Sequence, residues 1–228
     1  MNSYYNKGVE PSARTTVHRR AGAASYDRAV IDAILDEGLV GHLGLCDREG
    51  QPFVIPIAYA RAGDEVLLHG SVLSRLLGTL AAGLPVCFTV TLLDGLVLAR
   101  SAFHHSMNYR SVVILGEARP IRGTAAKLAA LEAIVAHVAP GRAAEIRGPS
   151  PQELAATEVA TLAIQEASAK VRSGFRTDAP EDYELACWAG QVPLSLRAGD
   201  PITDPRCPAP PPSYLAPYRR GDDPPIAA

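Results

Sequence analysis

Between residues 39 and 121 the chain alternates short apolar runs with turn residues, and this rhythm constrains the fold more than any other feature. Apolar runs of about four to eight residues bounded by Gly, Pro, Asp or Asn are typical of β-strands. Residues 47–50 and 62–64 carry hairpin-type turn residues, and Asp94-Gly95 is a further turn signal. The pattern therefore predicts a mainly antiparallel β-structure.

Six strands are predicted, at 40–46, 52–60, 65–69, 85–93, 96–101 and 109–121. Pro56 marks an edge or a bulge in the second of them. Strand-like alternation returns at 159–171, and 188–196 is a further strand candidate. Six or seven antiparallel strands with helices at one or two connections predict one closed or partly closed barrel. Because the chain lacks alternating strand-helix units and G-x-G-x-x-G, a Rossmann dinucleotide site is not expected.

Helices are predicted at 26–35 with Ser25 as N-cap, at 72–82, at 124–139, and after the capping box 150–153. The predicted organisation has three parts: a polar, basic arm at 1–24, a barrel domain at 25–199, and a tail at 200–228. The tail holds nine of the chain's 19 prolines, which is typical of an extended segment.

Composition excludes several functional classes. The 22 Lys and Arg residues against 24 Asp and Glu residues give a net charge of −2, which argues against nonspecific nucleic-acid binding. No apolar run reaches the about 18 to 20 residues that cross a bilayer, and residues 1–20 lack the apolar centre of a signal peptide. We therefore expect a soluble, cytoplasmic protein without a nucleic-acid or membrane partner.

The segment 69–75 is the first candidate site. His69 ends a predicted strand, and a helix is predicted to begin just after Ser71. The free N–H groups of a helix N-terminus, the hydroxyls of Ser71 and Ser74 and the guanidinium of Arg75 would together suit a phosphate. A plain N-cap at Ser71 and a solvated Arg75 are an equally open alternative.

The polar segment 100–111 is the second candidate site, because His104 and His105 crowd there between two strands with other polar side chains. Loops held by a rigid sheet commonly carry binding residues. Hydrogen-bonded loop or interface histidines are an equally open alternative. Adjacent histidines point to opposite sides of a strand and no carboxylate stands at ligand spacing, so we predict no metal ion.

Ser101 and Ser106 lie near histidines but without a nucleophile-elbow motif, which argues against a serine hydrolase. Lys170 and Arg172 stand two residues apart on one face of a strand-like stretch, where they could meet an anion. A solvated strand end is the slightly favoured alternative for these two cations.

Three stretches, HGSVLSRLL (69–77), PVCFTVTLLDGLVLARSAFHHSMNYRSVVILGEA (85–118) and EASAKVR (166–172), resemble the pyridoxamine 5′-phosphate oxidase-like FMN-binding split barrels. Within that family the chain is similar to the flavin-nucleotide-binding branch that includes the nitroimidazole-resistance proteins. The resemblance extends from about residue 26 to about residue 196. It implies a mainly β fold, a six-stranded antiparallel split β-barrel of the FMN-binding type with accessory helices, and a homodimer with flavin sites across its two-fold interface.

The resemblance also implies roles for individual residues. Ser74-Arg75 matches a phosphate-gripping motif in which Leu76 replaces the family's lysine, and Arg110-Ser111 matches a motif that contacts the flavin ring. Backbone groups around Ile55 and Ile57 are expected to lie against the isoalloxazine. His69 is the first catalytic candidate and His104 the second. The predicted cofactor-binding residues are Ile55, Ile57, His69, Ser71, Ser74, Arg75, Arg110, Ser111, Lys170 and Arg172.

The resemblance does not extend to the substrate motif of the oxidases. Trp188-Ala189-Gly190 is followed here by QVPL instead of the family's Arg-Leu-His-Asp-Arg, so oxidation of pyridoxamine phosphate is not expected. The leading hypothesis is an FMN-dependent oxidoreductase that reduces a small flat or nitro-bearing substrate with electrons from NAD(P)H. The alternatives are a flavin- or haem-binding carrier or sensor without turnover, with His69, His104 or His105 as axial ligand, and an empty scaffold.

Overall fold

The computed structural model describes residues 8–74, 80 and 83–215 of the 228-residue chain. In this part the strands are β1 (Ala24–Ser25), β2 (Val40–Cys46), β3 (Pro52–Ala62), β4 (Glu65–Ser71), β5 (Pro85–Leu98), β6 (Ser106–Glu117), β7 (Arg119–Pro120), β8 (Thr157–Ala163), β9 (Glu166–Arg172) and β10 (Gly190–Pro193). The α-helices are α1 (Arg28–Glu37), α2 (Thr124–Val138) and α3 (Pro151–Ala156).

The chain divides into two compact units. The first contains the residues up to Leu92 together with Ser111–Val171, and the second contains Leu93–Arg110 together with the residues from Arg172 onward. The chain passes from one unit to the other within β5, between β6 residues 110 and 111, and at the end of β9. The predicted division into arm, barrel domain and tail stays a prediction.

The strand order is β1-β9-β6-β5-β2-β3-β4-β8-β7, and β10 pairs with residues 95–98 of β5 in the second unit. Along this path the pairings β1–β9, β2–β5, β2–β3, β3–β4, β4–β8 and β7–β8 are antiparallel. Among the described strands the order begins at β1 and ends at β7, so the sheet does not close on itself. The predicted mainly β, antiparallel split-barrel class is confirmed.

The described residues form ten strands, more than the six or seven predicted. The alternating stretch 159–171 folds as two strands, β8 and β9, because residues 164–165 form a turn between them. The candidate at 188–196 contributes β10, and β1 and β7 are two-residue strands too short to leave a periodic signal.

Asp94-Gly95 is not the hairpin turn that the sequence predicted, because β5 runs straight through it. Gly95 pairs with Pro193 of β10, and a Cβ atom at residue 95 would lie 3.0 Å from the carbonyl oxygen of Val192. The glycine therefore permits the close approach of β10. Asp94 has a partner of its own in Arg110, which belongs to the site described below.

The start of α1 also differs from the prediction. The N-cap is Asp27, whose side chain accepts a hydrogen bond from the backbone N–H of Ala29 at 2.9 Å. Ser25 is held in β1 by its pairing with Ala169. The capping box is confirmed, since Ser150 and Glu153 exchange both hydrogen bonds at the start of α3. The predicted helix at 72–82 lies mostly outside the described residues.

Two apolar clusters stabilise the first unit. In the main cluster the rings of Tyr59 and Phe88 meet edge to face with centroids 5.1 Å apart, and both side chains are fully buried. Gly41 on β2 lies against this pair, and a Cβ atom there would stand 2.1 Å from Cζ of Phe88. The second cluster lies between the sheet and α2 and consists of Ala60, Leu67, Ala130, Ile134 and Val159.

The hairpin between β2 and β3 follows the predicted turn at 47–50, and the next follows the turn at 62–64. β3 pairs with β4 only from Tyr59 onward, so residues 52–58 have β2 as their one neighbour among the described strands. Pro56 lies in this open-edged part, as predicted for a proline without an N–H to donate. No helix in the described part of the chain is long and apolar enough to span a bilayer.

Candidate functional site

In the first unit, the end of β4 carries His69, which pairs with Val159 of β8. Leu67 belongs to the cluster under α2, and alternate residues of a strand share a face, so His69 lies on that face too. Its Nδ1 is buried and has no hydrogen-bond partner among the described residues. Burial lowers the pKa of the His69 imidazole below its ordinary 6.5, so the ring is neutral at pH 7.

The lowered pKa of His69 predicts a pH dependence of stability. Between the ordinary pKa of 6.5 and the lowered one, the unfolded chain takes up a proton that the folded chain does not, so the free energy of unfolding falls as the pH decreases through this range. We expect His69→Gln to show a weaker decrease than the wild type in urea unfolding between pH 7.5 and about 5. Replacing the exposed His18 by Gln is the control. Equal slopes for the wild type and His69→Gln would contradict the expectation.

The two serines after His69 form a local turn. Oγ of Ser71 accepts a hydrogen bond from the N–H of Leu73 at 3.2 Å, and the carbonyl of Ser71 accepts one from the N–H of Ser74 at 2.9 Å. This geometry matches the capping alternative for Ser71. Arg75 lies outside the described residues, so phosphate binding by Ser71, Ser74 and Arg75 stays a prediction.

Ile55 and Ile57 lie in the open-edged part of β3. Their side chains pack against the main apolar cluster, while the strand's second edge is unpaired among the described strands. An unpaired edge offers backbone N–H and C=O groups to a flat ligand, which is the role predicted for these two residues. Ser111 is a half-buried residue of β6, and Lys170 of β9 pairs with Ala24 of β1.

In the second unit, His104 and His105 both contact Ser101, within a segment that we call the histidine loop (residues 101–107, the last two of which begin β6). Nδ1 of His104 lies 2.9 Å from Oγ of Ser101, and Nδ1 of His105 lies 2.8 Å from the carbonyl oxygen of Ser101. A carbonyl oxygen can only accept, so Nδ1 of His105 carries the proton. In the neutral ring, Nε2 of His105 then holds the free electron pair, which is the tautomer typical of metal-binding histidines.

Asp178 is a buried carboxylate that sequence reasoning missed. Its side chain is 2% exposed and accepts hydrogen bonds from the backbone N–H of Arg100 at 3.3 Å and from Nη1 of Arg100 at 3.0 Å. The guanidinium of Arg100 also lies 4.8 Å from the centre of the Tyr183 ring. The contact between Arg100 and Asp178 joins residues 78 positions apart, so no local pattern reveals it. The local sequence shows a polar residue just before Ala179-Pro180, which is typical of a turn.

Ser101, His104 and Asp178 do not form the relay of a serine hydrolase. Oγ of Ser101 and Oδ1 of Asp178 both face the same ring nitrogen of His104, at 2.9 and 3.8 Å. A relay needs the serine and the carboxylate on opposite nitrogens, so that a proton can cross the ring. The same carboxylate belongs to a second grouping, because ligand atoms of His104, Asp178 and Asp182 lie within 4.8 Å of one another.

Arg110 and Arg172 have protein partners in the second unit. Arg110 forms a two-pronged ion pair with Asp94, with Nε–Oδ2 and Nη2–Oδ1 distances of 2.9 and 2.8 Å. Nη1 of Arg172 donates to the carbonyl of Met107 at 2.9 Å and to Oδ1 of Asn108. Both cations thus position the chain around the histidine loop, and their predicted contacts with a cofactor stay predictions.

A family model described as pyridoxamine 5′-phosphate oxidase matches residues 27–171, more than half of the chain. The chain belongs to the pyridoxamine 5′-phosphate oxidase family. A search among curated protein sequences gave no match.

Among solved structures, the chain is similar to other members of this fold. It shares 41% identity with a flavocytochrome from Azotobacter vinelandii, covering 92% of this chain and 99% of that one, with a TM-score of 0.86. It shares 39% identity with an FAD and haem binding protein from Mycobacterium smegmatis, covering 85% and 96%, with a TM-score of 0.81. A protein assigned to 5-nitroimidazole antibiotic resistance in Bacteroides thetaiotaomicron is 23% identical over 65% of this chain and 86% of that one, with a TM-score of 0.56, and shows the fold alone.

The match to the pyridoxamine 5′-phosphate oxidase family ends at Val171. His69 and the histidine loop lie inside the matched part, whereas Asp178 and Gln191 lie beyond it. The similarity to the flavocytochrome extends further, because it covers 92% of the chain. The second unit therefore combines a segment shared with the family at large and a segment outside the family model.

Proposed function

We propose that this member of the pyridoxamine 5′-phosphate oxidase family is a redox protein that binds a flavin and a haem and takes electrons from NAD(P)H. The observation that carries the proposal is the His105 ring, whose Nδ1 proton is held by the carbonyl of Ser101. Further support comes from the two relatives at 41% and 39% identity, which are named a flavocytochrome and an FAD and haem binding protein.

The surroundings of His105 suit a haem. Phe103 is 86% exposed and Met107 is 51% exposed, so large apolar side chains flank the histidine on both sides in sequence. A porphyrin has broad apolar faces, and covering such side chains is favourable because it removes apolar surface from water. We therefore assign to His105 the role of axial ligand and to Phe103 and Met107 the role of apolar contacts.

His105 is a better axial ligand than the two other histidines that the sequence offered. Nδ1 of His104 has a hydroxyl at hydrogen-bond distance, which can either donate or accept, and the carboxylate of Asp178 lies beyond that distance at 3.8 Å, so no carbonyl contact fixes the tautomer of His104. Nδ1 of His69 has no partner among the described residues, so nothing there orients the ring. Only the contact of His105 with a carbonyl oxygen directs the electron pair to Nε2.

For the flavin, the first unit offers the open edge of β3 at Ile55 and Ile57 and the turn of Ser71 and Ser74. The sequence predicted FMN, and the name of the 39%-identical relative supports FAD as well. When bound, the flavin supplies exchange between two-electron and one-electron transfer, and the haem iron supplies a one-electron centre. His69, neutral at pH 7, can accept a proton there, which keeps it as the first catalytic candidate; His104 is the second.

Two finer expectations belong to the same proposal. We expect a homodimer in the cytoplasm that acts on a small molecule, and size-exclusion chromatography with light scattering measures the dimer. The expectation of a nitro-bearing substrate rests only on the resemblance to the nitroimidazole-resistance proteins. At 23% identity, that relative supports the fold alone, so we do not extend the proposal to nitro compounds.

The proposal is tested by absorption spectroscopy of the full-length protein as purified, after addition of haemin and of FAD or FMN with removal of the unbound cofactor by gel filtration, and then after NADPH without oxygen. We expect a Soret band and a flavin band, followed by loss of the flavin band when NADPH is added. A protein that binds both groups but is not reduced by NADH or NADPH would be a carrier or sensor. Absence of both bands after the additions would contradict cofactor binding and favour an empty scaffold.

A further inference from the structure

The histidine loop is held by buried polar contacts at both of its ends. At its start, Asp178 accepts hydrogen bonds from the backbone N–H and from Nη1 of Arg100, the residue directly before the loop. With 2% of its side chain exposed, Asp178 is almost fully removed from water. A charged acceptor of this kind forms stronger hydrogen bonds than a neutral one, and leaving its donors unpaired is costly.

At the other end, Asn108 is 7% exposed and uses both ends of its amide. Its Oδ1 accepts from Nη1 of Arg172, and its Nδ2 donates to Oε1 of Gln191 at 2.6 Å. Arg172 also binds the carbonyl of Met107. The last residue of the loop and the residue after it are thus tied to the end of β9 and to β10.

Asp178, which holds the start of the histidine loop, acts on His105 through Arg100 and Ser101. The backbone N–H and the guanidinium of Arg100 hold the residue directly before Ser101 on Asp178, and the carbonyl of Ser101 accepts the Nδ1 proton of His105. If Arg100 were released, the carbonyl of Ser101 could turn away from the ring, and His105 could then place its proton on either nitrogen. Groups beyond the ligand that hold a metal-binding histidine in this way typically change metal affinity by about 10- to 100-fold when they are replaced.

The same carboxylate has a second possible use, because ligand atoms of His104, Asp178 and Asp182 lie close enough together to hold a divalent cation. Asp178 already pairs with the Arg100 guanidinium at 3.0 Å. A cation next to a guanidinium would be repelled by it and would have to compete with it for the carboxylate. The positioning role therefore fits the contacts of Asp178 better than a metal site does, and the cation remains an outcome of the test.

We propose that Asp178 is a positioning residue that fixes the Ser101 carbonyl and, through it, the tautomer and orientation of His105. The proposal rests on the proposed haem-binding function for its consequence, but the tautomer of His105 is a property of the cofactor-free chain. The two can therefore be tested separately. The matched control is Asp182→Ala, which removes a neighbouring carboxylate that has no hydrogen bond to Arg100 among the described contacts.

The tautomer is measured by long-range ¹H–¹⁵N NMR on the cofactor-free, full-length protein. We expect the wild type and Asp182→Ala to show His105 as the single Nδ1–H form, and Asp178→Ala to show a mixture of both forms. Should Asp178→Ala fail to fold, Asp178→Asn is measured instead and should show the same mixture to a smaller extent. A single Nδ1–H form in the Asp178 variant would overturn the proposal, even if that variant were less stable.

Haem titration, followed by the Soret band, supplies the second readout. We expect the Kd for haem to rise by about 10- to 100-fold in Asp178→Ala, with a changed band position, while Asp182→Ala behaves as the wild type. If the wild type itself binds no haem, the proposed function fails while the NMR result still decides the role of Asp178. If Asp182→Ala reproduces the losses of Asp178→Ala and Mn²⁺ or Zn²⁺ stabilises only the wild type, the carboxylates serve a cation and the positioning proposal is wrong.

Discussion

His105→Ala is expected to purify without haem while it keeps its flavin. The imidazole of His105 is the group whose Nε2 electron pair is directed outward by the hydrogen bond from Nδ1 to Ser101, and alanine offers no replacement ligand. The loss should be close to complete, because the apolar contacts assigned to Phe103 and Met107 do not replace the imidazole–iron bond. The Soret absorbance per flavin after saturation with haemin measures the effect.

The neighbouring His104→Ala is the matched control for this experiment. His104 lies one residue away, bonds to the same Ser101 and is half-buried, but its tautomer is not fixed by a carbonyl. We expect His104→Ala to retain the Soret band. A protein that loses haem in His104→Ala and keeps it in His105→Ala would show that the ligand has been assigned to the wrong histidine.

Gly41→Ala is expected to destabilise the first unit by about 1–3 kcal/mol, the range typical of overpacked cores. A Cβ atom at residue 41 would lie 2.1 Å from Cζ and 2.3 Å from Cε2 of Phe88, far inside van der Waals contact. The Phe88 ring has little room to withdraw, because it is fully buried and packs against Tyr59. Urea unfolding followed by circular dichroism measures the difference in the free energy of unfolding.

Gly44→Ala is the control on the same strand. The nearest heavy atom to a Cβ there is the carbonyl oxygen of Cys87 at 3.5 Å, an ordinary contact, so we expect a change within about 0.5 kcal/mol. Combining Gly41→Ala with Phe88→Leu should recover part of the loss, because the shorter side chain vacates the space that the new methyl group needs. If the double variant were as unstable as the sum of the two single ones, the steric explanation would be incorrect.

Local sequence signals predicted those parts of the fold that local chemistry decides. The turns at 47–50 and 62–64, the capping box at Ser150 and the edge position of Pro56 depend on residues within a few positions of one another, and each was found. Asp94-Gly95 was misread, because its glycine serves a strand 98 residues away, through the pairing with Pro193. The residue types of Asp94 and Gly95 alone cannot indicate a partner strand so distant in the sequence.

The candidate site shows the same division. Sequence reasoning found the histidine loop from the density of polar side chains, but it could not choose among His69, His104 and His105. That choice depends on whether Nδ1 faces a carbonyl, a hydroxyl or nothing, which is set by backbone geometry. Asp178 was missed because its importance comes from burial and from a contact 78 residues away.

The open edge of β3 has a consequence for the behaviour of the protein in concentrated solution. Unpaired strand edges are templates on which other chains can add strands, and Val54 in this stretch is 68% exposed. Pro52 and Pro56 interrupt the row of donors, since neither has an N–H for an incoming strand to bind. An edge of this kind can admit a small planar molecule and still resist the growth of intermolecular β-sheet.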